Sequence, residues 1–297
     1  WRKLRAKARE VIWEMRVKTF SDENPGIINA DKVQYKPGLE MGLTSGHVVS
    51  SYVELLRKLA ELNYWNSRFR LLYRGQTKDY EIQNNGSGPK RSSLYPSVLR
   101  PAFDGNNHSE TLDQRFTRLR KAEEALKRHL LIGEIHQNQS VQWALLQHYE
   151  VCDTPFMDLT NSVQAALSFA LPKKASSGYF YVFAFPQLTG AVSVSVESKT
   201  HVIDLSQVCR PEALRPHFQN AFLATDYPMY SSRTETQGQS GTPGNSFVCR
   251  LLAKFRLTKC DTWASEGFAC IPDKLLFPNQ HDKWFEIFEK VKAELKN

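Results

Sequence analysis

The sequence predicts an α+β fold in which several helices come first and a mostly antiparallel, mixed sheet follows. Up to residue 149 the apolar residues recur mainly at helical spacing, whereas short apolar or alternating runs typical of strands predominate beyond it. A regular alternation of strand and helix, which a doubly wound parallel sheet requires, is not present in this order of segments. Helices and strands that are segregated along the chain favour the α+β class.

Composition limits the class of protein. The chain has 297 residues, of which 41% are hydrophobic and 11% aromatic, and this is enough for a substantial buried core. No apolar run approaches the roughly 20 residues of a membrane span, so we expect a cytoplasmic protein without membrane contact. Five cysteines without a Cys-x-x-Cys pair favour reduced thiols, and no metal site is predicted. A net charge of +8 would draw the chain toward polyanions, and it suits a nucleic-acid binder, an enzyme with a phosphate-bearing ligand or a solvated surface equally well.

The chain is predicted to begin with an extension and to continue as one domain. Residues 1–48 form the helical N-terminal extension and residues 49–297 the domain. A basic amphipathic helix is expected over residues 1–20, and a second amphipathic helix over residues 50–66. The apolar strand that carries Tyr73 follows the second helix directly.

The elements of the domain follow from local pattern. Residues 110–149 are dominated by helical composition and include an apolar helix over residues 141–149. A strand at 157–160 leads into a helix at 161–170, which has a Thr/Asn/Ser start, and a buried strand follows at 178–185. Further strands are predicted at 191–196, 201–205 and 247–257, a short element at 264–271 and a closing amphipathic helix at 284–295.

The segment Tyr73-Arg74-Gly75-Gln76 carries the clearest chemical signal. It places a guanidinium and a glycine at a predicted strand end. The planar fork of an arginine suits phosphate or carboxylate, and a glycine lets a ligand approach the backbone closely. An anion-binding turn is therefore predicted at Arg74, although Arg-Gly turns are also common on protein surfaces.

A polar loop over residues 231–246 is the second candidate region. It is rich in Ser, Thr, Gly and Gln and contains Arg233, Glu235 and Gln237. Loops of this length inside a domain are usually either functional or disordered.

Four segments, in order, resemble the FRG domain family, which is named for its Phe/Tyr-Arg-Gly motif. They cover about residues 50–290 and are Tyr73 to Gln76, Leu94 to Arg100, the group Gln147-His148-Tyr149 with Thr154, Asp158, Thr160 and Asn161, and Leu275 to Pro278. The second is similar to the family's Leu-x-Pro-Ser-x-x-Arg segment and the fourth to its Leu-Phe-Pro segment. The chain departs from the family where Thr154 to Thr160 lacks the usual arginine and tryptophan. A late Arg-x-x-x-Gln-x-Gly element is only partly matched by Arg233 to Gly238.

The resemblance implies a bacterial cytosolic protein of the kind associated with mobile elements, toxin biology and antiviral defence. At the level of the fold it also implies a likeness to ADP-ribosyltransferases, whose sheet surrounds a cleft. In those enzymes a strand with Arg or His precedes a Ser/Thr-bearing strand, which leads into a helix, and a Glu or Gln follows on a mobile loop. Arg74, Thr160 and Glu235 occur in this order. NAD is the cofactor that this likeness implies, with a protein or nucleic acid as acceptor.

The likeness assigns roles to individual residues. Arg74 would bind the pyrophosphate of NAD, Glu235 would hold the ribose hydroxyl, and Tyr149 or Phe169 would stack on nicotinamide. The catalytic candidates are Glu235, Gln237 and His148. The cofactor-binding candidates are Arg74, Gly75, Gln76, Arg100, Tyr149, Asp158, Thr160 and Phe169.

Two other functions remain open from the sequence. His148 and Asp158 could share a proton in a nuclease or other hydrolase. A non-catalytic sensor module could instead hold a nucleotide or nucleic acid through its arginines. Those arginines are Arg74, Arg91, Arg100 and Arg233.

Overall fold

The structure is a computed structural model that describes residues 18–19, 34–35, 38–83, 89–102, 110–130, 133–173, 175–232, 246–258 and 262–296. The strands are β1 Lys18–Thr19, β2 Gln34–Tyr35, β3 His47–Val49, β4 Phe69–Gln76, β5 Glu81–Gln83, β6 Lys90–Ser92, β7 Met157–Thr160, β8 Ser177–Pro186, β9 Val192–Ser195, β10 Thr200–Asp204, β11 Ala221–Asp226 and β12 Leu251–Thr258.

The α-helices are α1 Gly38–Leu43, α2 Tyr52–Trp65, α3 Leu112–His129, α4 Gly133–His136, α5 Gln139–His148, α6 Val163–Ala170, α7 Leu205–Val208, α8 Leu214–Phe218, α9 Ser246–Cys249, α10 Thr262–Ser265, α11 Asp273–Leu276 and α12 Lys283–Glu294. A 3-10 helix spans Ser97–Ala102.

The chain divides into two compact units, each with its own apolar core. Unit 1 consists of Trp1–Leu94, Thr160–Gln187 and Asn245–Ile271. Unit 2 consists of Tyr95–Leu159, Leu188–Gly244 and Pro272–Asn297.

Unit 1 is built on strands in the order β3-β12-β8-β4. Strand β8 is antiparallel to both β4 and β12, whereas β3 is parallel to β12. Tyr73 of β4 also pairs in antiparallel register with Thr160, the last residue of β7. Helices α2 and α6 contribute apolar side chains to the same core as these strands, so one face of the sheet is covered by helices.

Two glycines allow α6 to lie directly on this sheet. A Cβ atom at Gly75 would be 1.7 Å from the carbonyl oxygen of Ala166, and one at Gly178 would be 2.1 Å from that of Ala170. Distances this short are impossible for a real Cβ, so both positions require glycine. The glycine of the Tyr-Arg-Gly segment is thus needed for helix packing, and a ligand contact at Gly75 stays a prediction.

Unit 2 carries strands in the order β7-β11-β10-β9, with β10 antiparallel to both of its neighbours. Helices α3, α5 and α12 share its core. A capping box formed by Thr111 and Gln114 begins α3, and the Asp282 carboxylate caps α12. These caps satisfy backbone N–H groups that would otherwise lack partners at the helix starts.

The mixed α and β class and the mostly antiparallel pairing are confirmed. The order of helices before strands holds only in part, because β3, which was not predicted, and the predicted strand β4 both precede α3. The predicted helix at 1–20 lies largely outside the described residues, and its end is wrong, since Lys18–Thr19 is a strand paired with Gln34–Tyr35.

Most predicted elements of the domain have matching observed elements. The predicted helix at 161–170 begins at Val163 because the Ser162 side chain caps it, accepting from the backbone N–H of Ala165. The predicted strand at 247–257 is wrong at its start, where Ser246–Cys249 is helical. Residues 38–49 contribute α1 and β3 to unit 1, and the predicted domain boundary at residue 48 stays a prediction.

Candidate active site

The second and third sequence segments meet in unit 2 in one hydrogen-bond network. Its members come from four places: Ser97 at the start of the 3-10 helix, Gln147 and His148 at the end of α5, Thr154 in the following loop, and Asp158 in β7. The network therefore joins residues that are well separated along the chain.

Gln147 is the centre of this network. Its Nε2 donates to the Asp158 carboxylate over 2.9 Å, while its Oε1 accepts from Ser97 Oγ at 2.7 Å and Thr154 Oγ1 at 2.9 Å. The Ser97 hydroxyl also accepts from the backbone N–H of Thr154 at 2.9 Å. Because both ends of the amide are engaged, the Gln147 side chain is fixed in one orientation.

His148 holds the other oxygen of the same carboxylate. Its Nδ1 lies 3.4 Å from Asp158 Oδ1, and its side chain is 2% exposed against 38% for Asp158. Burial lowers the pKa of the imidazole, and the nearby Arg215 cation lowers it further, although the bond to Asp158 acts in the opposite direction. A neutral ring that faces a carboxylate through Nδ1 carries its proton there. Its Nε2 is buried and makes no hydrogen bond among the described atoms.

Tyr149 lies in the core of unit 2. Its ring stacks on Phe288 at a centroid distance of 4.1 Å, and its hydroxyl donates to Asp282 over 2.9 Å. The side chain is only 1% exposed, and burial together with Asp282 raises the pKa of the phenol. One ring face is thus covered by α12, and stacking of Tyr149 on nicotinamide stays a prediction.

Three other predicted cofactor contacts are partly or fully buried in the structure. Arg100 is half-buried and donates from Nε to the backbone oxygen of Tyr95 over 3.0 Å. Thr160 is 4% exposed, and its Oγ1 accepts from the backbone N–H of Ser162 at the entrance to α6. Phe169 is half-buried on α6. The ligand roles of these three residues stay predictions.

Arg74 lies within β4, which continues to Gln76, so it is not at the strand end that the sequence predicts. Its neighbours Tyr73 and Gly75 face the core side covered by α6, and alternation puts Arg74 on the opposite face. There it pairs across the strands with Tyr181, and Gln76 pairs with Tyr179. Arg74 therefore remains a candidate for holding an anion on that face of unit 1.

Glu235, Gln237 and Arg233 lie outside the described residues, so their predicted roles stay predictions. Arg91, which the sensor hypothesis includes, is buried in β6.

Metal-ion ligands and thiols are the other groups that could supply chemistry beside the network. In the described part of the chain, no three His, Cys, Asp or Glu side chains form a group that could hold a metal ion. Burial raises the pKa of the Cys152 thiol to about 12, and burial also raises that of Cys209.

Among the helices that the structure describes, none is long and apolar enough to cross a membrane.

Ser97, Gln147 and Thr154 lie in the segments that resemble the FRG domain, but the sequence predicts no role for them. In the structure Gln147 donates to the Asp158 carboxylate, and Ser97 and Thr154 both donate to the Gln147 amide oxygen. Two features of the sequence could have indicated a role for them. Ser, Gln and Thr side chains can each donate and accept hydrogen bonds. All three residues also occur within segments that contain candidate site residues.

Comparison with known proteins agrees with the resemblance over part of its range. The sequence model of the FRG domain matches residues 70–178, which include the first three segments but not the one at Leu275 to Pro278. No curated protein and no solved structure matches the chain. The network around Asp158 lies entirely within the matched residues. The chain carries an FRG domain at residues 70–178.

Proposed function

We propose that the chain is an NAD-consuming enzyme of the ADP-ribosyltransferase type, in the glycosyltransferase class, with Asp158 as its reactive carboxylate. The observation that carries the proposal is the way this carboxylate is held. Gln147 and His148 each bind one of its oxygens, yet 38% of the side chain remains exposed. A fixed and accessible carboxylate is suited to stabilise positive charge on a substrate.

The reaction creates such a charge. The bond between ribose C1′ and the nicotinamide nitrogen breaks, and its electron pair leaves with nicotinamide. The ribose ring becomes cation-like, as in glycoside cleavage, and a nearby carboxylate lowers the energy of that state. An acceptor, either water or a nucleophilic group, then forms a bond to C1′ and gives up its proton. Asp158 has no reorganisation to undergo, because its hydrogen bonds already fix it.

His148 is a positioning residue in this proposal. Its Nδ1–H orients Asp158, while its Nε2 is buried within unit 2. A hydrolase in which His148 acts as general base is less well supported, because a base must reach the proton that it removes. Glu235, which the likeness to ADP-ribosyltransferases favours as catalytic carboxylate, stays a second candidate for that role.

A toxin or defence role belongs to the same proposal. It rests on the resemblance of the ordered segments to the FRG domain family, whereas the match at residues 70–178 supports the FRG domain alone. If the role is correct, induced expression in a bacterial host lowers cellular NAD and slows growth, and Asp158→Asn relieves both effects. Growth arrest with an unchanged NAD level would contradict it.

The biochemical test is release of nicotinamide. Purified protein is incubated with NAD, with and without a cell extract as a source of acceptors, and nicotinamide is quantified by chromatography. The wild type should release nicotinamide. Asp158→Asn should release it at least about 100-fold more slowly, which is the loss expected when an electrostatic stabiliser of the transition state is removed.

Asp153→Asn is the matched control. Asp153 is similarly exposed, at 40%, and pairs with Arg115 over 3.6 Å in the same unit. This variant should retain the wild-type rate. No nicotinamide release by the wild type under any condition, or equal rates in both variants, would refute the proposal.

A further inference from the structure

The three adjacent strands β4, β8 and β12 of unit 1 have an uneven charge distribution. They contain four cationic residues and no Asp or Glu. The cations are Arg70, Arg74, Lys254 and Arg256. These three strands therefore carry only positive charges.

The register places all four cations on one face. Arg74 and Lys254 both pair with Tyr181, Arg256 pairs with Tyr179, and Arg70 pairs with Phe185. Directly paired residues share a face, and the positions 179, 181 and 185 of β8 alternate onto the same one. The opposite face holds Gly75 and Gly178 against α6. The charged face is therefore the one that α6 does not cover.

One cross-strand row of this face, Arg74–Tyr181–Lys254, contains a lysine whose charge is paired inside the unit. The Lys254 ammonium is paired with the Asp79 carboxylate and donates to Ser92 Oγ at 2.9 Å. Asp79 also accepts from the Tyr181 hydroxyl at 2.8 Å. Lys254 is 1% exposed, so its charge is neutralised inside the unit.

The next row, Gln76–Tyr179–Arg256, is accessible to solvent. Arg256 is exposed, and Gln76 and Tyr179 are partly exposed. The ring of Tyr179 lies nearly parallel to that of Tyr181, with centroids 6.3 Å apart, and the Lys254 ammonium lies 5.8 Å from its centroid. These contacts fix the orientation of the ring. The row thus presents an amide, an oriented aromatic ring and a guanidinium side by side.

We propose that the row Gln76–Tyr179–Arg256 binds a nucleotide, either free or as one unit of a single strand. Tyr179 stacks on the base, because every base offers a flat π-face. Arg256 pairs with the phosphate through its planar fork. The Gln76 amide can donate to and accept from the base edge. Neighbouring strands are about 4.8 Å apart, so three residues of one row span about one nucleotide.

The residues of this row are not among those that the proposed reaction at Asp158 uses. Its test measures binding alone, so a failure of NAD cleavage would leave this inference standing. Fluorescence anisotropy of a labelled 12-nucleotide oligothymidylate is measured with the purified chain, and ATP and inorganic triphosphate serve as unlabelled competitors. ATP binding is measured independently by calorimetry.

Loss of the ring or of the charge should weaken binding. Tyr179→Leu is expected to reduce affinity about 10-fold, because the variant loses the stacking of an aromatic ring on one base. Arg256→Gln should lower affinity and reduce the slope of log K against log salt by about 0.7. Tyr179→Phe should bind like the wild type, because the ring is retained.

The controls lie on α2, which packs on the other face of the sheet. Tyr64 is 73% exposed and Arg57 is exposed, so Tyr64→Leu and Arg57→Gln remove a similar ring and charge from the surface. Both should bind normally. Competition by ATP would identify a free nucleotide as a ligand, and binding of the oligonucleotide alone would identify a strand; either supports the site. No binding, equal losses in the controls, or competition by triphosphate as strong as by ATP would overturn it.

Discussion

His148 illustrates at the residue scale how burial determines chemistry. The imidazole is inside unit 2 with one nitrogen on Asp158, and burial is the largest influence that lowers its pKa from the ordinary value of 6.5. The neutral ring suits a residue that orients a carboxylate. The same burial makes folding stability depend on pH.

We predict that stability falls on acidification through the range below pH 6.5. In the unfolded chain His148 gains its proton near 6.5, whereas the folded state resists protonation, so the unfolded state binds more protons and is favoured as the pH falls. The contribution is fully present above pH 6.5. One such group changes the free energy of unfolding by at most about 1.4 kcal/mol per pH unit.

Urea unfolding of the wild type and His148→Gln between pH 7.5 and 5.5 checks this prediction. The variant should show a shallower dependence on pH, and the burial of His201, whose pKa is also lowered, should leave a remainder. Identical slopes in the wild type and His148→Gln would contradict the account.

At the scale of elements, the contact between α6 and the sheet depends on two glycines. In Gly75→Ala the new Cβ would meet the backbone oxygen of Ala166 at 1.7 Å, and a backbone atom cannot move aside as a flexible side chain can. We expect a loss of about 3 kcal/mol in the free energy of unfolding. Urea denaturation of the purified variant measures it.

Gly190→Ala is the control for that substitution, because no heavy atom lies within 4 Å of a Cβ built there. It should change stability by no more than about 0.5 kcal/mol. A Gly75→Ala variant as stable as Gly190→Ala would show that α6 does not pack on β4 as described.

Elements with a local signal were predictable from the sequence. The strand at 157–160 and the helix that follows were recognised from apolar pattern and from a Ser cap, which are properties of neighbouring residues. The role of Gly75 was not predictable, because it depends on a helix that comes much later in the chain. Likewise Tyr149 directly follows the candidate residue His148 in the sequence, but its ring packs on Phe288 of the last helix. That contact between distant residues has no local signal.

The candidate site was predicted only in part for the same reason. The sequence grouped His148 and Asp158 as a pair, and the structure puts Nδ1 and Oδ1 3.4 Å apart. It did not reveal that Ser97 and Thr154 fix the amide of Gln147, since hydrogen bonds between distant segments have no periodic signature. The mixed row on β4, β8 and β12 also depends on strand register and so required the structure.

At the scale of the whole molecule, the FRG domain match covers residues 70–178, and it includes both the Asp158 network and Arg74. The two units have separate cores, and each carries one candidate site. We assign the proposed reaction to unit 2 and the proposed nucleotide-binding row to unit 1. Chemistry and binding can therefore be tested by different substitutions.

The central claim is that Asp158 acts on the transition state of NAD cleavage. Its most direct test is a measurement of kcat and KM for NAD in the wild type and in Asp158→Asn. Asparagine keeps the shape of the side chain but removes its charge, so kcat should fall at least about 100-fold while KM changes little. An unchanged kcat in Asp158→Asn would contradict the claim.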